Sequence, residues 1–367
     1  VKTQIKTLAK KTLYTTGLCY FYRRVAGPSG KRLYILMYHD FLLGDSGTIE
    51  SPDQNRVPTQ RHFEAHMAQL AKHHRVISLA KAVAELRSGK DLPADSVAIT
   101  FDDGYESVYT IAYPVLKKYG LPATVFLVTD WIGGEVLSWW QHFREMIAKA
   151  DFSVVKPADV ARVLELDLAE TFPPAEGDVV SRTRFCIHLE PMLWHMPDDT
   201  RLDKLSQLQD LLFPGGDFTA DVGRVLTWAQ VREMAGHQIE FGSHTETHVN
   251  IPFADTVTIE KEIADSKKKI EDKIQREVTG FAYPYGRALV SYRAIEPILI
   301  RLGFTYACNA CSGNNSTSSN VYSLFRGSLP PTTSPALINY TLFRGLTRRG
   351  RQEARQALAE EEPSSTG

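Results

Sequence analysis

The apolar positions of this chain fall into short, nearly continuous runs separated by longer stretches with helical spacing. Tyr34–Tyr38 (YILMY), Ser96–Phe101 (SVAITF) and Ala123–Val128 (ATVFLV) are bounded by polar or turn residues. Runs of this kind predict strands buried on both faces. Ile239–Ser243, Gly280–Tyr283, Thr305–Cys308 and Val321–Phe325 continue the series. Between them, helices are predicted over Arg61–His74, Leu79–Ser88, Val108–Tyr119, Trp228–Ala235 and Thr256–Lys273. The last carries Ile259, Ile263, Ile270 and Ile274 along one side. Strands alternating with helices predict parallel βα units, and seven such strands favour an α/β barrel over an open sheet.

Three regions depart from this rhythm. Residues from about 130 to 226 hold several helical segments, Trp139, Trp140, Trp194 and a Pro-rich break at Phe172–Gly177. They read as a helical insertion within a barrel spanning residues 31–330. Residues 1–30 form a basic N-terminal helical segment: residues 1–32 carry eight Lys or Arg and no Asp or Glu. Its weakly amphipathic stretch, residues 1–26, suits docking on the domain surface, or peripheral contact with a membrane. Residues 331–367 read as a C-terminal helix and a flexible tail ending EEEPSSTG.

The 367 residues, 43% hydrophobic and 23% charged, are enough for a sizeable core. A net charge of −1 argues against a nucleic-acid partner, which needs a basic field. Cys19, Cys186, Cys308 and Cys311 are too few for a disulfide framework, and the CxxC of Cys308 and Cys311 lacks a second pair to complete a zinc site. No run has the length of a membrane span. Lys10 and Lys11 interrupt the N-terminal apolar stretch, so no signal peptide is read there; a cytoplasmic or membrane-peripheral location is the expectation.

Candidate chemistry gathers at strand ends, where barrels place their catalytic groups. Asp102 and Asp103 follow the Ser96–Phe101 strand in Thr100-Phe101-Asp102-Asp103-Gly104. In a regular strand the two would face opposite ways; a turn at Gly104 lets both face one cavity. One carboxylate can then hold a metal while the other takes a proton from water. A helix N-cap would also explain a single Asp there. His244 and His248, in Ser243-His244-Thr245-Glu246-Thr247-His248, are four apart; on a helical turn they would share a face and converge on a metal. The Pro284-Tyr285-Gly286 turn can present a backbone N–H to a developing oxyanion, or be a turn and nothing more. His39, after Met37-Tyr38, sits where it would enter the same barrel mouth, although a lone His is more often structural. Trp139, Trp140 and Trp194 could wall a sugar site or pack the insertion's own core.

Together, TFDDG, SHTETH and the PYG turn resemble the polysaccharide deacetylases with the NodB homology domain (carbohydrate esterase family 4), from about Tyr34 to Arg326 with the insertion outside the resemblance. The resemblance implies a distorted (β/α) barrel of the NodB type and a metal-dependent hydrolase acting on N-acetyl, or O-acetyl, groups of a polysaccharide or amino-sugar glycan. It implies a divalent metal, Zn2+ first, held by Asp103, His244 and His248. Asp102 would be the general base, and the Tyr285 N–H an oxyanion donor. The Arg that many members carry in the third motif is Ala282 here. The poly-N-acetylglucosamine deacetylase branch, with permuted strand order and an N-terminal YH, resembles Met37-Tyr38-His39-Asp40 and makes His39 the candidate general acid. Arg326 is the candidate replacement for the missing Arg. A catalytically silent sugar-binding domain and a non-haem Fe(II) oxygenase are the rival readings.

Overall fold

The computed structural model describes residues 32–42, 57–90, 92–93, 96–134, 138–165, 179–216, 218–219, 224–286, 292–329 and 338. The basic N-terminal segment, the Phe172–Gly177 break and the C-terminal helix and tail (Ile338 apart) lie outside the described residues.

The chain runs β1 (Leu33–Tyr38), α1 (Gln60–His73), β2 (Arg75–Val76), α2 (Leu79–Arg87) and β3 (Ser96–Phe101). A π-helical turn, Val108–Ala112, leads into α3 (Tyr113–Tyr119) and β4 (Ala123–Leu127). Four helices follow: α4 (Trp139–Lys149), α5 (Pro157–Val163), α6 (Val179–Trp194) and α7 (Asp198–Leu212). The βα rhythm resumes with α8 (Trp228–Ala235), β5 (Ile239–Ser243), α9 (Thr256–Ile274), β6 (Gly280–Ala282), α10 (Tyr292–Arg301) and β7 (Tyr306–Cys308). Helix starts follow local chemistry. Thr59, Ser78 and Asp255 side chains accept first-turn N–H groups, and Ser138 and Thr227 form capping boxes with Gln141 and Gln230.

The strands form one parallel sheet in the order β1-β3-β4-β5-β6-β7. Short β2, which the sequence pattern does not reveal, pairs with Ser96 and Val97 of β3, while β4 pairs with Thr100 and Phe101. The expected strand over Val321–Phe325 is not regular. Asn309 donates to the Ser323 carbonyl at 3.1 Å, and Asn315 both donates to and accepts from the Phe325 backbone at 2.9 Å. These side chains occupy main-chain groups that a ladder would use.

The segment nevertheless closes the sheet. Leu324 bridges Cys308 of β7, and Gly327 bridges Leu36 of β1. The Leu324 N–H donates to the Ala307 carbonyl at 2.9 Å, and the Gly327 N–H to the Ile35 carbonyl at 2.9 Å. The result is a distorted barrel, as the alternation of strands and helices predicts. Side chains alternate accordingly. Tyr34, Leu36, Ile99, Phe101, Val125 and Phe281 pack against the helices. Ile35, Ala98, Phe126, Ala282, Tyr306, Cys308 and Leu324 form a second cluster with residues of α2. Gly242 of β5 leaves room for that filling: a Cβ there would lie 2.5 Å from the Phe126 ring and 2.7 Å from the Gly280 carbonyl oxygen. Helices α4 to α7 enclose a core of their own, including Phe143, Ile147, Phe185, Leu189 and Leu208.

Candidate active site

The end of β3 sends its two carboxylates to one place. Asp102 keeps strand register, its N–H donating to the Tyr38 carbonyl at 3.0 Å. Asp103 then turns into the left-handed region at φ 73°, followed by Gly104 at φ 89°. This break of the two-residue alternation brings neighbouring side chains to the same mouth. A Cβ at Gly104 would meet Ile132 Cδ1 at 2.8 Å, so that turn also needs the missing side chain. Both Asp residues are buried.

The histidines arrive on the loop after β5, not on the helical turn their spacing suggested. Thr245 and His248 have φ of 68° and 66°, which no helix accommodates. The spacing of four is met by a folded loop instead, and side chains hold it. The Thr245 hydroxyl accepts the His248 N–H at 3.0 Å. Glu262 of α9 accepts the Glu246 and Thr247 N–H groups at 2.9 Å each, and the Thr247 hydroxyl at 2.8 Å. Sequence reasoning missed Glu262, one of several acids on a charged helix.

His244 Nε2 lies 3.5 Å and His248 Nε2 3.7 Å from Asp103 Oδ1. His244 Nδ1 faces the Ala282 carbonyl at 2.8 Å. A carbonyl only accepts, so Nδ1 carries the proton and the neutral ring turns a bare Nε2 lone pair toward Asp103. An ionised carboxylate and a bare nitrogen facing each other at this distance repel unless a proton or a cation lies between them. A metal with bonds of about 2.0–2.1 Å sets tetrahedral donors roughly 3.3 Å apart, close to the spacings seen. Burial holds His244 down to about 4 and, with His244 beside it, His248 well below the ordinary histidine value. Both rings are therefore neutral, as metal ligation requires. Burial, then the charge of Asp102, pushes the Asp103 carboxyl well up, and a bound cation would reverse that. Asp103, His244 and His248 thus fit a metal ion in number, donor type and protonation.

Asp102 has a different partner. Arg326, on the closing segment, is fully buried and grips Asp102 with two parallel bonds, Nη1 to Oδ1 at 2.7 Å and Nη2 to Oδ2 at 2.8 Å. Its Nε donates to the Asn309 carbonyl at 2.8 Å and its Nη1 to Thr100 Oγ1 at 3.2 Å. Burial alone would raise Asp102; the guanidinium outweighs it and lowers the carboxyl to about 2. Ala282 fills the third-motif position with a buried methyl, and the guanidinium reaches Asp102 from the barrel's seam.

His39 stands just past β1 with its side chain 45% exposed, Nε2 3.9 Å from Asp102 Oδ2. Tyr285 has φ 59°, and its ring lies edge-on to His248 with centroids 4.6 Å apart. Trp131 and Trp140 also flank His248, at 5.6 and 5.2 Å. Trp139 packs in the core of α4–α7 yet donates Nε1–H to the Tyr285 hydroxyl at 2.8 Å. Trp139, Trp140 and Trp194 thus pack in or against the insertion's own core, and Trp140 also faces His248. Cys308 and Cys311 are buried thiols, not joined in a disulfide.

The sequence model of the polysaccharide deacetylase family matches residues 89–154 and 206–307. The gap, 155–205, falls among the helices between β4 and β5. A Bacillus subtilis protein described as "Putative polysaccharide deacetylase YxkH" is 26% identical over 305 residues, 83% of this chain and 73% of the relative. The poly-beta-1,6-N-acetyl-D-glucosamine N-deacetylase of Staphylococcus aureus is 36% identical over 99 residues, 27% of this chain and 32% of its own length. Among solved structures, the Streptococcus pyogenes deacetylase PplD superposes with a TM-score of 0.54 at 20% identity, covering 87% of this chain and 100% of that one. IcaB from Ammonifex degensii gives 0.51 at 17% identity, covering 85% and 97%. The matched sequence runs through the aspartate pair, both histidines and the PYG turn, on a fold shared with solved deacetylases; the chain belongs to the polysaccharide deacetylase family.

Proposed function

We propose that this protein is a metal-dependent deacetylase that hydrolyses the acetamido groups of an amino-sugar polysaccharide. The observation that carries the reading is the pairing of a buried, Arg-gripped carboxylate with three convergent neutral and acidic donors. Asp103, His244 and His248 would hold the ion, and two nitrogens with one oxygen suit zinc with positions left open. The ion supplies Lewis acidity to the acetyl carbonyl and to the attacking water. Asp102, kept ionised by Arg326, takes the proton from that water. The Tyr285 N–H donates to the carbonyl oxygen as negative charge develops there. His39, half-exposed beside Asp102, delivers a proton to the departing amine. The relative acting on poly-beta-1,6-N-acetyl-D-glucosamine makes a β-linked glucosamine polymer the first substrate to try.

The test is acetate release from an acetylated glucosamine oligomer with zinc supplied. Asp102→Asn keeps the shape of the side chain and removes its basicity, so metal binding stays and turnover falls by about 100-fold or more. Near-normal turnover in that variant rejects Asp102 as base. A wild-type protein that binds the oligomer and releases no acetate is instead a sugar-binding domain.

A further inference from the structure

The helices between β4 and β5 reach the site through Trp140, Asp198 and Trp139, and one buried arginine links the last two. Asp198, the first residue of α7, accepts the Asn250 N–H at 2.8 Å, two residues past His248. Asn250 answers by donating to the Trp194 and Met196 carbonyls at 2.8 and 3.1 Å. Asp198 also pairs with Arg201. Arg201 extends Nη2 to within 3.5 Å of the Tyr285 hydroxyl and lays its guanidinium 4.7 Å from the Trp139 ring centroid. Trp139 in turn donates to the same Tyr285 hydroxyl.

A hydrogen-bonded path therefore leads from the loop bearing His248, through Asp198 and Arg201, to the turn bearing Tyr285. Arg201 is only 2% exposed, and its buried Nε finds no acceptor among the described residues. Packing alone does not favour such a group, since an apolar side chain of similar size avoids the desolvation cost. The Nη2 of Arg201, which meets both Asp198 and the Tyr285 hydroxyl, gives the group a use.

We propose that Asp198, Arg201 and Trp139 are positioning residues: they brace the Tyr285 turn against the His248 loop and so fix where its N–H points during acyl transfer. This rests on the reading of the Tyr285 N–H as oxyanion donor. The brace makes the helical insertion part of the catalytic apparatus, although none of its side chains needs to touch the reacting atoms.

Trp139→Phe removes the hydrogen bond to the Tyr285 hydroxyl, and Tyr285→Phe removes that bond together with the Arg201 contact; each keeps an aromatic ring. Each should lower kcat about tenfold, the worth of one buried bond, with KM held within about twofold. The double variant should be no slower than Tyr285→Phe alone, which already loses the bond that Trp139→Phe breaks. Arg201→Lys, which keeps charge without the fork, should fall in the same direction. Zinc affinity, measured alongside, should stay near wild type, and each variant should remain folded at the assay temperature. Full kcat in both single variants, or losses that multiply in the double, overturns the brace. If one variant does not fold, the other still removes the bond. Should Asp102→Asn abolish turnover while these variants do nothing, the brace fails and the deacetylase reading stands; should the wild type release no acetate, that reading itself fails.

Discussion

Asp102 and Asp103 share a backbone bond and a buried mouth, yet burial is overcome at only one of them. Arg326 holds Asp102 to about 2, below the ordinary 3.8, whereas Asp103 is pushed up. A folded-state value below the unfolded one contributes stability at neutral pH, lost as pH falls from about 4 toward 2. Arg326→Met leaves a buried carboxylate without its cation and should cost about 3–5 kcal/mol at pH 7. In that variant burial is the largest influence left on Asp102, opposed by His244 and His39, so its folded-state value rises and stability falls as pH increases through it. The wild-type advantage in urea midpoints should therefore grow from pH 3 to pH 7; a constant difference contradicts the assignment. At this scale the residues proposed as ligands and base are legible in sequence, because the motifs fix their types. The Arg326 contact is less so: it spans 224 residues of sequence, and no local pattern announces such a pairing.

At the scale of elements, the histidine loop shows how spacing misleads. Four residues between imidazoles fit one turn of helix, but left-handed Thr245 and His248 reach the same convergence in a loop. That loop lacks helical hydrogen bonds of its own and borrows them from Glu262. Glu262→Ala should weaken metal binding about 10–100-fold, as loss of supporting contacts around ligands does. Competition with a chromogenic chelator measures this, and unchanged affinity with a lowered melting temperature would mean that Glu262 serves the fold alone. In β5, Gly242→Ala would press a methyl against Phe126 and the β6 backbone, an overpacking cost of about 1–3 kcal/mol readable by thermal denaturation. The long apolar runs announced their strands. Two-residue β2 and the irregular Val321–Phe325 segment did not follow the pattern, because side-chain hydrogen bonds and neighbours decide such short pieces.

For the whole molecule, the barrel and the helical insertion each enclose apolar clusters that owe nothing to a metal. Chelation should abolish deacetylation while circular dichroism keeps its native form, and zinc should restore both activity and a higher melting temperature by preferential binding to the folded state. Alternating strands and helices made the architecture legible; closure was not, because the seam is made by isolated bridges rather than a strand. That seam has a temporal consequence. The proposed metal donors lie at positions 103, 244 and 248, while the arginine that grips the proposed base comes at 326. During synthesis the ligand set is complete in the emerging chain well before the base is armed. On the proposed roles, a nascent or C-terminally nicked chain carries all three donors yet lacks the arginine that grips Asp102 until residue 326 is seated. Closing the barrel and switching on the chemistry are one event.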